Sequence, residues 1–481
     1  MLNRRVRTVL LTGLVCTLAA CTAPQPERQE RTTPPAPEGP APGAAGIGDP
    51  YYPTDGNGGY DATDYAVSVR YQPRTGRLDG DTTVTATATH TLTRFNLDLR
   101  GFTVASVEVD GQRAEFTRRG AHELVVTPAR QVAEGQAFRT RVRYHGRPQS
   151  ASSAQLGGNG WHRTPSGAAF VLGEPHSASY WYPVNEHPRD KAPFRLTVRV
   201  PEGWSAVSIG RQGRTTTGQG WTTTTWTEPD PVASYLTTLA VDRFTVDRRR
   251  LADGTPVLDA YAPGAEGIRG DARRVGEIIE FLSGWFGEYP ATVAGGIYLG
   301  EDIGYSLETQ GRPTYTRSAG LETIVHELAH QWYGNTVSVQ SWADICLNEC
   351  LASYSQWLWA EGKQGDDLDA RYHRALDRLA EDQGFWAPRL YDMGAGNEFT
   401  GVYDKGILAI HALRRQIGED VFGRVLREFP ARHRDANASW PEFERYVGRV
   451  SGQDLREFFD AWFRGTERPG DEYLLPGSLG R

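Results

Sequence analysis

The first half of the chain alternates apolar and polar positions with a period of two; the second half follows a helical period. Residues 65–71, 83–87 and 138–144 place every other side chain on one face, as half-buried strands do. Shorter β-branched runs at 104–109 and 123–127 stop at Asp110-Gly111 and at Pro128, both turn formers. No long helical period interrupts them, so residues 50–246 are predicted to form an antiparallel β-sandwich or saddle-shaped sheet domain. Near residue 251 the pattern changes. A short strand at 257–261 leads into a helix with Val275, Ile278, Ile279, Leu282, Trp285 and Phe286 on one face. From Asp366 onward most of the chain reads as amphipathic helix, closing on Phe458, Phe459, Trp462 and Phe463. Residues 247–481 are therefore predicted to form a mostly helical α+β domain.

Within this second domain lies His326-Glu327-Leu328-Ala329-His330, in an apolar stretch without Gly or Pro. Histidines at i and i+4 on a helix share one face, so both imidazoles can reach a single zinc ion at roughly 2.0–2.1 Å. Glu327 stands beside that position, where a carboxylate can take a proton from zinc-activated water. Ser341 and Asp344 have capping-box spacing and predict the start of a second helix that carries Glu349. The intervening stretch, 331–348, allows a turn and a return, which makes Glu349 a candidate third ligand and leaves a fourth position open. Residues 304–310 read as a strand, with Glu308 either a solvated edge carboxylate or part of the site. The segment from Gly173 to Phe194, rich in aromatic and ionisable residues, reads as loop.

A net charge of −7 without a basic block speaks against nucleic acid as a partner. Arg4, Arg5 and Arg7 precede a short apolar run at 9–20, too short to span a membrane, so residues 1–20 are expected to be an export signal. Leu18-Ala19-Ala20-Cys21 resembles the lipobox of bacterial lipoproteins. That resemblance implies cleavage before Cys21, lipidation of its thiol and attachment to the membrane outside the cytoplasm; an unused lipobox leaves the protein secreted. Residues 21–49 are Pro-, Ala- and Gly-rich with few large apolar side chains, and are expected to be a disordered tether.

With the zinc motif and Glu349 in place, the chain resembles the aminopeptidase N family of zinc peptidases, within the gluzincins. Four separated motifs carry the resemblance: His326 to Gly334 (HELAHQWYG), Leu347-Asn348-Glu349, Tyr403-Asp404-Lys405-Gly406 and, by position, Glu308. Tyr333 and Thr336 stand where a metzincin needs Gly and His, and Ser353 stands where thermolysin-like enzymes carry Asp. The resemblance implies a thermolysin-like catalytic domain with one zinc held by His326, His330 and Glu349. It makes Glu327 the general base and Tyr403 the donor to the tetrahedral oxyanion. Glu308 would receive the α-ammonium of a peptide with a free amino terminus, a charge-assisted contact, and Glu174 would be a second amine-binding carboxylate.

The match departs from the family in three places. Leu172 replaces the Gln expected two residues before Glu174. The carboxy-terminal helical-repeat domain of larger relatives is not expected here. Cys346 and Cys350 flank Glu349 where relatives usually have Trp and Gly. Their i, i+4 spacing leaves the pair open: the Cα separation of about 6 Å allows a disulfide, while the Cβ separation opposes one without distortion. Two other readings stay in view, a zinc hydrolase of the leukotriene hydrolase type and a catalytically silent peptide-binding lipoprotein.

Overall fold

The computed structural model describes residues 41–153 and 157–480. Cys21 and the export signal lie outside them. The β domain is built on an eight-stranded sheet in the order Arg211–Gly218, Trp221–Val232, Ala192–Pro201, Tyr60–Gln72, Arg77–Ala88, Ala137–Gly146, Thr103–Val109 and Gln112–Arg113. In Tyr60–Gln72 and Arg77–Ala88 buried and outward positions alternate, as the period of two requires. The expectation of a purely antiparallel sheet needs one correction: Ala192–Pro201 runs parallel to Tyr60–Gln72. A parallel neighbour needs a long crossover, and the chain supplies it by building other strands before it returns.

The domain holds two further sheets, built partly from strands of that crossover. The first, in the order Ser150–Ser153, Gly157–Arg163, Ala169–Leu172, Leu239–Asp242 and Ser205–Ser208, is antiparallel throughout. The second places Ala41–Pro42, Leu92–Asp98, Glu123–Thr127 and Glu115–Arg119 side by side.

Ala41–Pro42 falls inside the stretch read as tether. It pairs with Leu92–Asp98, and Asp49 is sealed from solvent further on. Residues 41–49 thus belong to the folded part. Composition missed this because the segment is held by polar contacts rather than by apolar bulk. The Asp49 carboxylate accepts from the backbone N–H groups of Tyr51 (2.8 Å), Tyr52 (3.2 Å) and Trp342 (3.0 Å), and from His187 Nε2 (3.1 Å). One side chain thereby fastens the amino-terminal segment to the β domain and to the turn preceding the Glu349 helix.

The second domain opens with a mixed sheet, Thr245–Arg250, Pro256–Tyr261, Ala294–Tyr298 and Thr314–Tyr315. Its first strand begins at Thr245, so a boundary between 246 and 247 cuts through that strand. Helices follow. Val275–Phe286 buries Val275, Ile278, Ile279, Leu282 and Phe286, while Trp285 at its edge lies under the Arg414 guanidinium, 5.3 Å away. Leu321–Ala329 packs on Cys346–Trp359, which packs in turn on Lys405–Ile417. Ser341 and Asp344 do form a reciprocal capping box, but it caps a short 3-10 turn, Trp342–Asp344; the α-helix starts at Cys346.

Asp49→Ala is expected to destabilise the protein by roughly 2–4 kcal/mol in denaturant unfolding, because it orphans several buried donors. Burial by itself would raise the Asp49 carboxyl; His187 and the N–H groups of Trp342 and Tyr51 outweigh burial and hold it below the usual carboxylate range. Its contribution should be complete above about pH 4 and fade as the pH falls through its depressed folded value. The gap in stability between the two proteins should accordingly narrow on acidification.

Candidate functional site

The helix Leu321–Ala329 ends just before His330, whose own backbone is still helical at φ −57°, ψ −23°. This keeps His326 and His330 one turn apart on one face, with their Nε2 atoms 3.0 Å from each other. From the facing helix, Glu349 Oε2 lies 3.3 Å from His326 Nε2 and 3.6 Å from His330 Nε2. Donors around a tetrahedral zinc at 2.0–2.1 Å stand about 3.3–3.4 Å apart, so these three atoms are spaced for that ion. Glu349 Oε2 is buried and makes no hydrogen bond, as a ligand atom would be without its metal.

The imidazoles are turned by outer contacts. His330 Nδ1 is 3.0 Å from the Tyr333 carbonyl oxygen, which fixes its proton on Nδ1 and frees Nε2 for ligation. His326 Nδ1 is 3.5 Å from Ser353 Oγ, so the serine at the position of the thermolysin-like Asp supports this ring. Gly334 is needed close by. It adopts φ +130°, and a Cβ there would stand 3.1 Å from His330 Nδ1.

The same motif builds the next wall of the cleft. Gln331 Nε2 and Asn335 Nδ2 both donate to the Glu308 carbonyl oxygen, at 3.2 and 2.8 Å. Glu308 is therefore buried rather than solvated at a sheet edge. Its Oε1 accepts from the Tyr235 hydroxyl at 2.9 Å. Ligand-capable atoms of Glu308, Glu327 and His330 lie within 4.8 Å of one another. Glu174 reaches the cleft from the β domain, with its Oε1 buried and without a hydrogen bond.

Tyr403 completes the ring of residues, its ring centroid 6.1 Å from that of His326. The rest of its motif explains how it arrives there. Lys405 is buried and donates to the carbonyl oxygens of Trp386, Pro388 and Gly465, at 2.8, 2.7 and 3.2 Å. Gly406 lets its helix close on the Glu349 helix, since a Cβ would meet Cys350 Sγ at 2.6 Å. Cys350 and Cys346 are joined by a disulfide, their Cα atoms 4.7 Å apart. That separation is tighter than the regular helix spacing of about 6 Å.

Glu174, Glu308, His326, Glu327, His330, Glu349 and Tyr403 thus meet around one cavity of about 290 Å³, which no Lys or Arg lines. The electrostatics follow from that imbalance. Burial opposes charge on His330, yet Glu349, Glu308 and Glu327 together push it up to about 10. Burial pushes Glu327 and Glu174 well above the carboxylate range, and the neighbouring carboxylates add to it. Glu349 is held down at about 2, the two imidazoles outweighing its burial. Burial, then Glu349 and Glu174, keep the Tyr403 phenol protonated and able to donate.

Tyr235, Ser353 and the Gln331–Asn335 pair carry no role in the sequence reading. Ser353 was legible only as a departure. Gln331 lies inside the quoted HELAHQWYG string and Asn335 directly follows it. Nothing in the sequence marks Tyr235, whose hydroxyl meets Glu308 across 73 positions.

Comparison with known proteins agrees with this architecture. The chain matches the peptidase M1 N-terminal domain over residues 61–236 and the peptidase family M1 domain over residues 306–462. An M1 zinc metallopeptidase from Deinococcus radiodurans superposes with a TM-score of 0.81 at 30% identity, covering 88% of this chain and 98% of that one. A mutant of that enzyme has been solved bound to a Tyr-Ser-Ala substrate. Glutamyl aminopeptidase of Mus musculus is 24% identical over 60% of this chain, and aminopeptidase N of Streptomyces lividans 26% over 60%. The chain spans about a third of the length of these curated relatives, 33% and 37%. It belongs to peptidase family M1.

Intact mass after alkylation checks the disulfide. Without reductant Cys346 and Cys350 should take up no label, and after reduction in denaturant both should.

Proposed function

We propose that the chain is a zinc-dependent aminopeptidase, with one zinc per chain, that removes residues from the free amino end of peptides. The observation that carries this reading is the charge of the cleft: four carboxylates converge on two imidazoles with no Lys or Arg lining the cavity. Such a site selects a divalent cation and a substrate ammonium together. The aminopeptidase names of the curated relatives and the tripeptide bound to the Deinococcus enzyme's mutant support it.

His326, His330 and Glu349 would hold the zinc, which when bound supplies Lewis-acid polarisation of the attacking water and the scissile carbonyl. Glu308, with Glu174 on the other wall, would receive the α-ammonium of the peptide and so set the scissile bond one residue from its end. The Tyr235 hydroxyl orients the Glu308 carboxylate for this. Glu327 would take the proton of the attacking water and return it to the leaving amine, from a buried position beside His330. Tyr403 would donate its phenol hydrogen to the oxygen that becomes negative in the tetrahedral species. Outside the described residues, lipidation at Cys21 would place this activity at the outer face of the cell membrane.

Aminoacyl reporter amides assayed with and without chelator test the reading directly. Activity should vanish with chelator and return with zinc, and no metal-dependent release from any free-amine substrate would overturn it. Glu308→Ala should raise KM selectively for substrates bearing a free amine; an equal loss on amine-blocked substrates would remove its assigned role.

Tyr403→Phe should lower kcat by about 10²–10³ with KM little changed, since the oxyanion exists only beyond the ground state. A change confined to KM would assign the tyrosine to substrate binding instead.

A further inference from the structure

A second set of metal-capable donors lies in the β domain, apart from the residues of the cleft. Asp98 ends the strand Leu92–Asp98, Glu123 begins the strand Glu123–Thr127, and the two face each other directly across the antiparallel ladder. Directly opposed residues share a face, where like charges repel. Both side chains are buried, Asp98 at 1% and Glu123 at 7% exposure. His122 adjoins them, its Nε2 3.7 Å from Asp98 Oδ1 and 3.9 Å from Glu123 Oε1. Ligand-capable atoms of Asp98, His122 and Glu123 all lie within 4.8 Å of one another.

The oxygens that face His122 lack donors. Asp98 Oδ2 is engaged by Asn57 Nδ2 at 3.0 Å and by the Glu186 backbone N–H at 2.9 Å, whereas Asp98 Oδ1 is buried without a hydrogen bond. Both Glu123 carboxylate oxygens are likewise buried without one. The nearby guanidinium groups are committed elsewhere: Arg118 donates to the Leu99 carbonyl, and Arg100 approaches Asp55 at 3.8 Å. Burial and the Asp55 charge push Glu123 up to about 7, while Asn96 and Arg118 oppose the rise. Burial and the surrounding carboxylates likewise raise Asp98 well above its usual range. The cluster is short of hydrogen-bond donors and of positive charge.

We propose that Asp98, His122 and Glu123 form a second metal site, for a divalent cation of the manganese–zinc class. Two carboxylates balance the charge of such an ion, and an imidazole nitrogen favours first-row transition ions over magnesium or calcium. In the structure His122 Nε2 also lies 2.9 Å from the Thr54 carbonyl oxygen, a contact that binding of the ion would replace. The metal would act on the cleft through structure. Asp98 holds the Glu186 backbone, and the Glu186 carboxylate collects the N–H groups of Ser177, Ala178 and Ser179 at 2.8, 2.6 and 2.9 Å. His176 is tied to Asp55 at 2.8 Å. The ion would therefore brace the segment that follows Glu174.

The test counts metal on the full chain. Protein stripped with chelator, reloaded with Zn²⁺ or Mn²⁺ and desalted should carry two equivalents per chain, and Glu123→Gln should carry one. His330→Ala, which disables the cleft site, should retain one equivalent at the β-domain site, so failure at either site is seen separately. A single equivalent in the unaltered protein that His330→Ala loses overturns the proposal, as does retention of both by Glu123→Gln. Should Glu123→Gln fail to fold, diffraction from the unaltered protein at the manganese absorption edge decides the matter. An anomalous peak among Asp98 Oδ1, His122 Nε2 and Glu123 supports the site, and a blank map there overturns it. Occupancy by Ca²⁺ with none by Mn²⁺ or Zn²⁺ overturns the assigned class.

Discussion

A buried surplus of negative charge is the constraint on which the cleft depends. Glu174, Glu308, Glu327 and Glu349 are each nearly sealed from solvent, and carboxylates in that position are tolerable only with cations among them. The two imidazoles meet part of the demand, and the carboxylates around His330 raise its affinity for a proton. A divalent ion and a substrate ammonium would meet the rest. The charge that is costly to bury there is thus the one that would give the proposed site its selectivity.

Holding four carboxylates together requires a frame that cannot relax, and the motif residues supply it. Gln331 and Asn335 clamp the Glu308 backbone to the histidine helix. Gly406 brings the helix Lys405–Ile417 against the Glu349 helix at the level of Cys350. Lys405 pins the start of that helix by three carbonyl contacts, with burial lowering its own affinity for a proton to about 8. Backbone packing therefore helps to space His326, His330, Glu349 and Tyr403 around the cavity.

The β domain contributes more than a wall. Glu174 enters the cleft from it, and Glu186 fixes the turn behind Glu174 by three backbone hydrogen bonds. Asp49 joins that domain to the turn before the Glu349 helix. Polar contacts of this kind are directional, so they set the relative placement of Glu174 and Glu349 more narrowly than apolar packing would.

Local periodicity and spacing sufficed for what depends on near neighbours. The strands of the β domain, the helix at 275–286 and the placement of His326 and His330 on one face were all legible, because each follows from residues within a few positions of one another. Resemblance of separated motifs extended this to Glu349, Tyr403 and Glu308, which the fold then gathers around one cavity. What local pattern could not decide were contacts across long stretches of chain. The parallel neighbour in the large sheet, the folding of residues 41–49 around Asp49, the burial of Glu308 beneath Tyr235 and the closure of the Cys346–Cys350 disulfide belong to this group. So does the pairing of Asp98 with Glu123 beside His122. Each depends on which strand or helix arrives next to which, and that is set by the packing of the whole chain rather than by any segment of it.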